Sequence, residues 1–267
     1  MSHVGRLLTG MIICLSLGAA CERMPLAEDD LTAALNAVEG HNWPLAERLL
    51  ERSLRHETDA DRRWEIWNTL LTVINAISPE PHATLDYLEA MREEFADDDQ
   101  RSKVILERMG LLAEQLHLFE RAAEIWNIYV GLGWLSAEDM VHGYRRLAAM
   151  QFRQRRFDAM EETLQQCLSM PLPENDKIMC MYDLAEQKAA RESWQEAADL
   201  GQQVMEGLDG NKDGLLRGQI HFLLGDALEQ LGRSEEALQQ FELAREAYPN
   251  PAVVENRIAH LRTKKKK

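Results

Sequence analysis

The chain lacks an apolar run long enough to cross a bilayer, which takes about 20 residues; its longest, from Leu7 to Ala20, stops short. It is poor in positive charge, with 30 Lys and Arg against 45 Asp and Glu and a net charge of -15, so no basic face is available to neutralise phosphates. Nucleic acid is therefore not an expected partner. It lacks a Gly/Ser-rich or Pro-rich stretch that would separate domains, and the expectation is one continuous architecture. Motifs for metal, nucleotide or nucleophile chemistry are missing: there is no HExxH, no G-x-S-x-G, no Walker loop and no dinucleotide fingerprint among the scattered histidines and glycines. No enzyme and no cofactor are expected. Cysteine is scarce, with only Cys14, Cys21, Cys167 and Cys180.

What is present begins at the N-terminus. Arg6 supplies a positive flank, the apolar run follows, and small residues Gly18, Ala19 and Ala20 lead into Cys21 and polar Glu22-Arg23. This leader resembles a bacterial lipoprotein signal, which implies removal of residues 1–20 and a lipid on Cys21. The resemblance departs from the usual pattern in having Gly18 three residues before the cysteine, with Leu17 one step earlier. Ordinary secretory cleavage after Ala20 is the alternative, and would give a soluble periplasmic module. Glu22 resembles the residue after the cysteine in lipoproteins sent to the outer membrane, which implies anchorage on its periplasmic side; the inner membrane remains open. With Cys21 acylated, Cys167 and Cys180 are left as a candidate disulfide in an oxidising compartment.

A repeat fills the rest. Near the C-terminus, His221-x-x-Leu224-Gly225-x-x-Leu228, then Gly232, Ala237-x-x-x-Phe241-x-x-Ala244 and Pro249, resembles one complete tetratricopeptide repeat. Small Gly225 and Ala237 let two helices approach closely, and Gly232 and Pro249 supply the stops. Aligning on the second small residue gives Ala46, Ala83, Ala122, Met160, Ala197 and Ala237, at spacings of 37, 39, 38, 37 and 40. Trp43, Phe119, Phe157 and Trp194 each stand three residues before it in four of these copies. Gly110 and Ala148 join Ala122, Ala197, Gly225 and Ala237 as residues of close helix packing. The fold predicted is all-α: an α-solenoid of about six hairpins over residues 30–262, after a tether at 21–29 and before a basic tail at 263–267. Val254, Ile258 and Leu261 predict a capping helix. HEAT-type pairs, with periods of about 40–47, are the nearest alternative, but do not predict the run from Leu224-Gly225 to Pro249.

Stacked helical pairs offer a long wall for a protein or peptide partner. Residues seven apart share a helix face, so Asn68 with Asn75, and Arg145 with Phe152, are candidates for it. Resemblance to peptide-binding members adds Tyr182 and Phe222; the alternative for the aromatics is packing between repeats. From Tyr144 to Phe157 the acidic chain holds Arg145, Arg146, Arg153, Arg155 and Arg156 with no acid among them. This cluster is suited to clamping a carboxylate; alternatively, Arg153, Arg155 and Arg156 complement a helix C-terminus. Asp209 to Gly214 copies half of an EF-hand loop, but Ile220 stands where the bidentate Glu belongs, and the segment reads as a turn. The whole implies a membrane-anchored periplasmic scaffold in assembly of cell-envelope machinery, with its partner and oligomeric state unspecified.

Overall fold

A computed structural model describes residues 27–77, 81–208 and 214–264. Cys21, the leader, most of the Asp209 to Gly214 segment and Lys265 to Lys267 lie outside these residues. Thirteen α-helices and no strand are found among the described residues: α1 (Ala27–Glu39), α2 (Trp43–His56), α3 (Ala60–Ile77), α4 (Pro81–Glu94), α5 (Asp99–Gln115), α6 (Phe119–Val130), α7 (Ala137–Arg153), α8 (Phe157–Ser169), α9 (Glu174–Ala190), α10 (Trp194–Gly207), α11 (Gly214–Gln230), α12 (Ser234–Ala244) and α13 (Pro251–Lys264). In chain order α1–α2, α5–α6, α7–α8, α9–α10 and α11–α12 are helical pairs, α3 and α4 stand between the first two of these, and α13 is the cap. Helix α1 starts inside the segment expected to be a tether, and α13 runs into the expected tail.

The described residues divide into two compact units, one before Pro79 and one after Glu80. In the first, α2 packs on both α1 and α3. The second is a solenoid in which each helix from α4 to α13 packs on the next, while α7 also meets α9 and α9 meets α11.

The frame lies in the even-numbered helices from α2 to α12. Their buried faces repeat one pattern at x, x+4 and x+7: Ala46, Leu50, Ser53; Thr84, Leu88, Met91; Ala122, Trp126, Tyr129; Met160, Leu164, Cys167; Ala197, Gly201, Val204; Ala237, Phe241, Ala244. One face of a helix recurs at three and four residues, so each triple is a single buried stripe. This corrects the alignment at α4, where Thr84 and not Ala83 takes the small-residue place; Ala83 is only half-buried and the spacings become 38, 38, 38, 37 and 40. The close contacts follow. A β-carbon on Gly110 would stand 2.6 Å from the Trp126 ring and one on Gly225 2.7 Å from Phe241. Ala122, Ala197 and Ala237 are fully buried and Ala148 nearly so. Gly218, which carries no sequence signal, is as tight: its β-carbon would meet the Ala247 backbone at 2.6 Å. At the end of the array Val254, Ile258 and Leu261 of α13 cover Phe241 and Ala244.

The five pairs turn in the same way. The left-handed residue is His41, His117, Arg155, Glu192 or Gly232. The next backbone N–H reaches back five residues, as from Asn42 to Ala37, Leu118 to Ala113, Arg156 to Gln151, Ser193 to Lys188 and Arg233 to Leu228. This pairing closes orphan carbonyls at a helix end. Arg155 and Arg156 therefore belong to the α7–α8 turn and the start of α8, not to the C-terminal turn of α7; of the three arginines assigned there, only Arg153 occupies it.

Cys167, in the last two turns of α8, is joined by a disulfide to Cys180 of α9 with the Cα atoms 6.5 Å apart. The bridge is fully buried with Met160, Leu164 and Leu184. It closes a short loop, so the entropy it removes from the unfolded chain is at the lower end for disulfides.

Candidate functional groove

A hollow with a volume of about 540 Å³ opens between α7 and α9. Helix α7 contributes His142, Arg145, Arg146, Ala149, Phe152 and Arg153; α9 contributes Asp183, Glu186, Gln187 and Ala190. On α7 these positions recur at three and four residues and form one face. Ala149 and Ala190 put small side chains on its lining. Met160 of α8 and Ala148 complete its lining, and both belong to the apolar cluster around the disulfide.

Its charges are mostly committed to one another. Arg145 makes a bidentate pair with Asp183, at 2.6 and 3.0 Å, one repeat away. Arg146 lies 3.2 Å from Glu114, which also accepts a 2.7 Å bond from the Trp126 indole. The Tyr182 hydroxyl donates to Glu186 at 2.5 Å. Burial raises the carboxyls of both Asp183 and Glu186 above their ordinary range, and Arg145 offsets part of this. Glu186 is exposed as a residue, with Tyr182 bonded to its carboxyl and the like charge of Asp183 adding to the upward shift. Burial, with Arg146 and Arg145 beside it, lowers the pKa of His142, against the pull of Glu107 and Glu114. Two side chains on the rim face outward. Phe152 is 41% exposed, with its ring edge-on to Phe157, and Arg153 is exposed with no ion-pair partner among the described residues.

Arg145, Phe152 and Arg153 are thus brought together as predicted, but the other candidates are not. Tyr182 is buried, with its hydroxyl taken by Glu186, and does not stand on the open wall. Phe222 stacks on Tyr248 at 4.2 Å and meets Phe241 edge-on, so it serves the packing of α11, α12 and the segment before α13. Apolar area removed from water outweighs display on a wall for both rings. Asn68 and Asn75 lie on α3 in the first unit, Asn68 half-buried with its amide on the Trp64 carbonyl and Asn75 exposed. Ile220, at the twelfth place of the calcium-like motif, is fully buried in α11 and offers no ligand. No cluster of His, Cys, Asp or Glu able to hold a metal occurs among the described residues.

Sequence reasoning missed the ion pairs across repeats. Lys103 pairs with Asp139, Lys188 with Glu161, and Arg257 with Asp226, besides Arg145 with Asp183. For Lys103 with Asp139 and Arg145 with Asp183 the signal was available as opposite charges 36 and 38 residues apart, about one period; the other two pairs, at 27 and 31, follow no such spacing. It also missed Gln187, one of several polar residues of α9 with no spacing to set it apart.

Residues 177–250 match the family model described as tetratricopeptide repeat, which covers the α9–α10 and α11–α12 pairs. Among solved structures, the chain resembles the apo form of RapI, at 11% identity over 91% of this chain and 72% of that one, with a TM-score of 0.61. It also resembles TPR-like repeats of a putative kinesin light chain from Podosopora anserina, at 16% identity, 71% and 96% coverage and a TM-score of 0.53. A third is YrrB, described as a TPR protein with an unusual peptide-binding site, at 13% identity, 78% and 96% coverage and a TM-score of 0.52. No curated protein matches the chain by sequence. The fold is that of a tetratricopeptide-type helical array.

Proposed function

We propose that the chain is a scaffold of the bacterial envelope, anchored through a lipid on Cys21 at the periplasmic face of the outer membrane. It recognises an acidic segment of a protein partner in the α7–α9 groove and takes part in assembling envelope machinery. The observation that carries the binding role is the pair Phe152 and Arg153, an open ring beside an uncommitted cation, at the rim of a groove in a protein of net charge -15. A guanidinium with no internal partner retains its donors for a carboxylate from outside. YrrB's peptide-binding site supports use of such an array for a peptide. The leader ending at Cys21 and the Cys167–Cys180 bridge, which persists in an oxidising compartment, support export. No described helix is long and apolar enough to cross a membrane.

Replacing Phe152 and Arg153 together with Ala tests the groove. Both side chains are exposed, so the change in stability stays within about 0.5 kcal/mol, while retention of the partner from solubilised envelopes falls at least tenfold. Equal retention by the variant contradicts the reading. Cys21→Ala tests the anchor: the protein moves from the membrane to the soluble fraction and loses palmitate label. Label that survives the substitution contradicts lipidation at Cys21 and favours the soluble module.

A further inference from the structure

Gln187 sits on α9 with 1% of its surface exposed, yet neither its amide oxygen nor its amide nitrogen has a hydrogen-bond partner in the protein. A buried primary amide without partners lowers the stability of the fold that carries it, because both groups give up hydrogen bonds to water. The residue lines the α7–α9 groove beside Ala148, Ala149 and Met160. A second unpartnered buried atom, Nε2 of His142, lines the same groove. An unpartnered buried polar atom calls for an explanation, and beside a groove a ligand of matching chemistry supplies one.

A glutamine amide presents one acceptor and two donors on a planar group. The complementary object is a residue of an extended polypeptide, whose N–H and C=O point to the same side and exchange two bonds with a partner, as in an antiparallel ladder. We propose that Gln187 is the residue that reads the main chain of the bound segment. It turns its side chain into the space over Ala149 and Ala190, accepts from one backbone N–H and donates to the carbonyl of the same residue. Phe152 and Arg153 at the rim then select side chains, while Gln187 fixes the path and register of the backbone. This rests on the reading of the groove as a peptide site, and adds a residue and a ligand group to it.

The test uses the whole chain and a peptide selected against it from a displayed random library, then synthesised. Gln187→Met keeps the length and flexibility of the side chain and removes the amide. The variant is expected to melt at or above the wild-type temperature, since an unpartnered amide is lost, and to bind the peptide at least tenfold more weakly. N-methylating the peptide one residue at a time should reveal one position whose methylation weakens wild type at least tenfold and leaves Gln187→Met unchanged. A lower melting temperature for the variant, full retention of affinity, or methylation effects that are the same in both proteins would overturn the assignment. Those results leave the groove itself standing, because that reading fails on a different one: peptide binding indifferent to Phe152→Ala and Arg153→Ala.

Discussion

Trp126→Ala will cost about 3–5 kcal/mol, the range for deleting a fully buried indole. Trp126 has no exposed surface and lies against the bare backbone of Gly110, at a separation that admits no β-carbon. Its ring meets Tyr129 and His142 edge-on at 5.3 and 5.4 Å, and its N–H bonds Glu114. Alanine leaves a void that Gly110 has no side chain to fill, and deprives the carboxylate facing Arg146 of a donor. Because each pair in such an array holds only its neighbours, the damage falls on the junction of α5, α6 and α7. Urea unfolding followed by circular dichroism will show an early transition for part of the helical signal. A change below about 1 kcal/mol would mean that the α5–α6 packing is not what this structure describes.

Arg145→Ala will destabilise the protein by about 2–3 kcal/mol at neutral pH, between the small value of exposed ion pairs and the large one for breaking a buried pair. Asp183 is held by two bonds from Arg145, in a place where burial already raises its carboxyl. Removing the guanidinium raises it further. An acid whose folded pKa lies above its unfolded value binds more protons when folded, so its contribution to stability falls as pH rises through that window. The deficit of Arg145→Ala relative to wild type should therefore shrink as pH is lowered toward the range where Asp183 is protonated. Thermal melts of both proteins across acidic to neutral pH measure it; a deficit independent of pH contradicts the pairing. The same result shows why Arg145 is a poor probe of binding and Arg153 a clean one.

The helical frame was legible because two signals coincide: a buried stripe at three and four residues, and its return after about 38. It was most legible from Leu224 to Pro249, and the family match falls on residues 177–250, which include that stretch. It slipped by one residue at α4, where Thr84 does the work expected of alanine. The shared turn was legible only at Gly232, since His41, His117, Arg155 and Glu192 adopt the left-handed conformation without being glycine. The tight register of the paired helices, rather than intrinsic preference, holds them there. Of the groove, sequence spacing placed Arg145 and Phe152 on one face because helical periodicity is local. It could not separate Tyr182 and Phe222, which are packed, from rings on display, since that depends on neighbours one repeat away. Nor could it show that Arg145 is spoken for, or that Gln187 has no partner.

The most direct measurement places a photo-crosslinking amino acid at position 152 of the full chain in intact cells, and at position 239, an exposed site on α12, as control. The groove reading predicts an adduct from 152 that mass spectrometry maps to an acidic segment of one partner, lost on adding Arg153→Ala, with none from 239. Equal adducts from both positions, or an adduct from 239 alone, would contradict it.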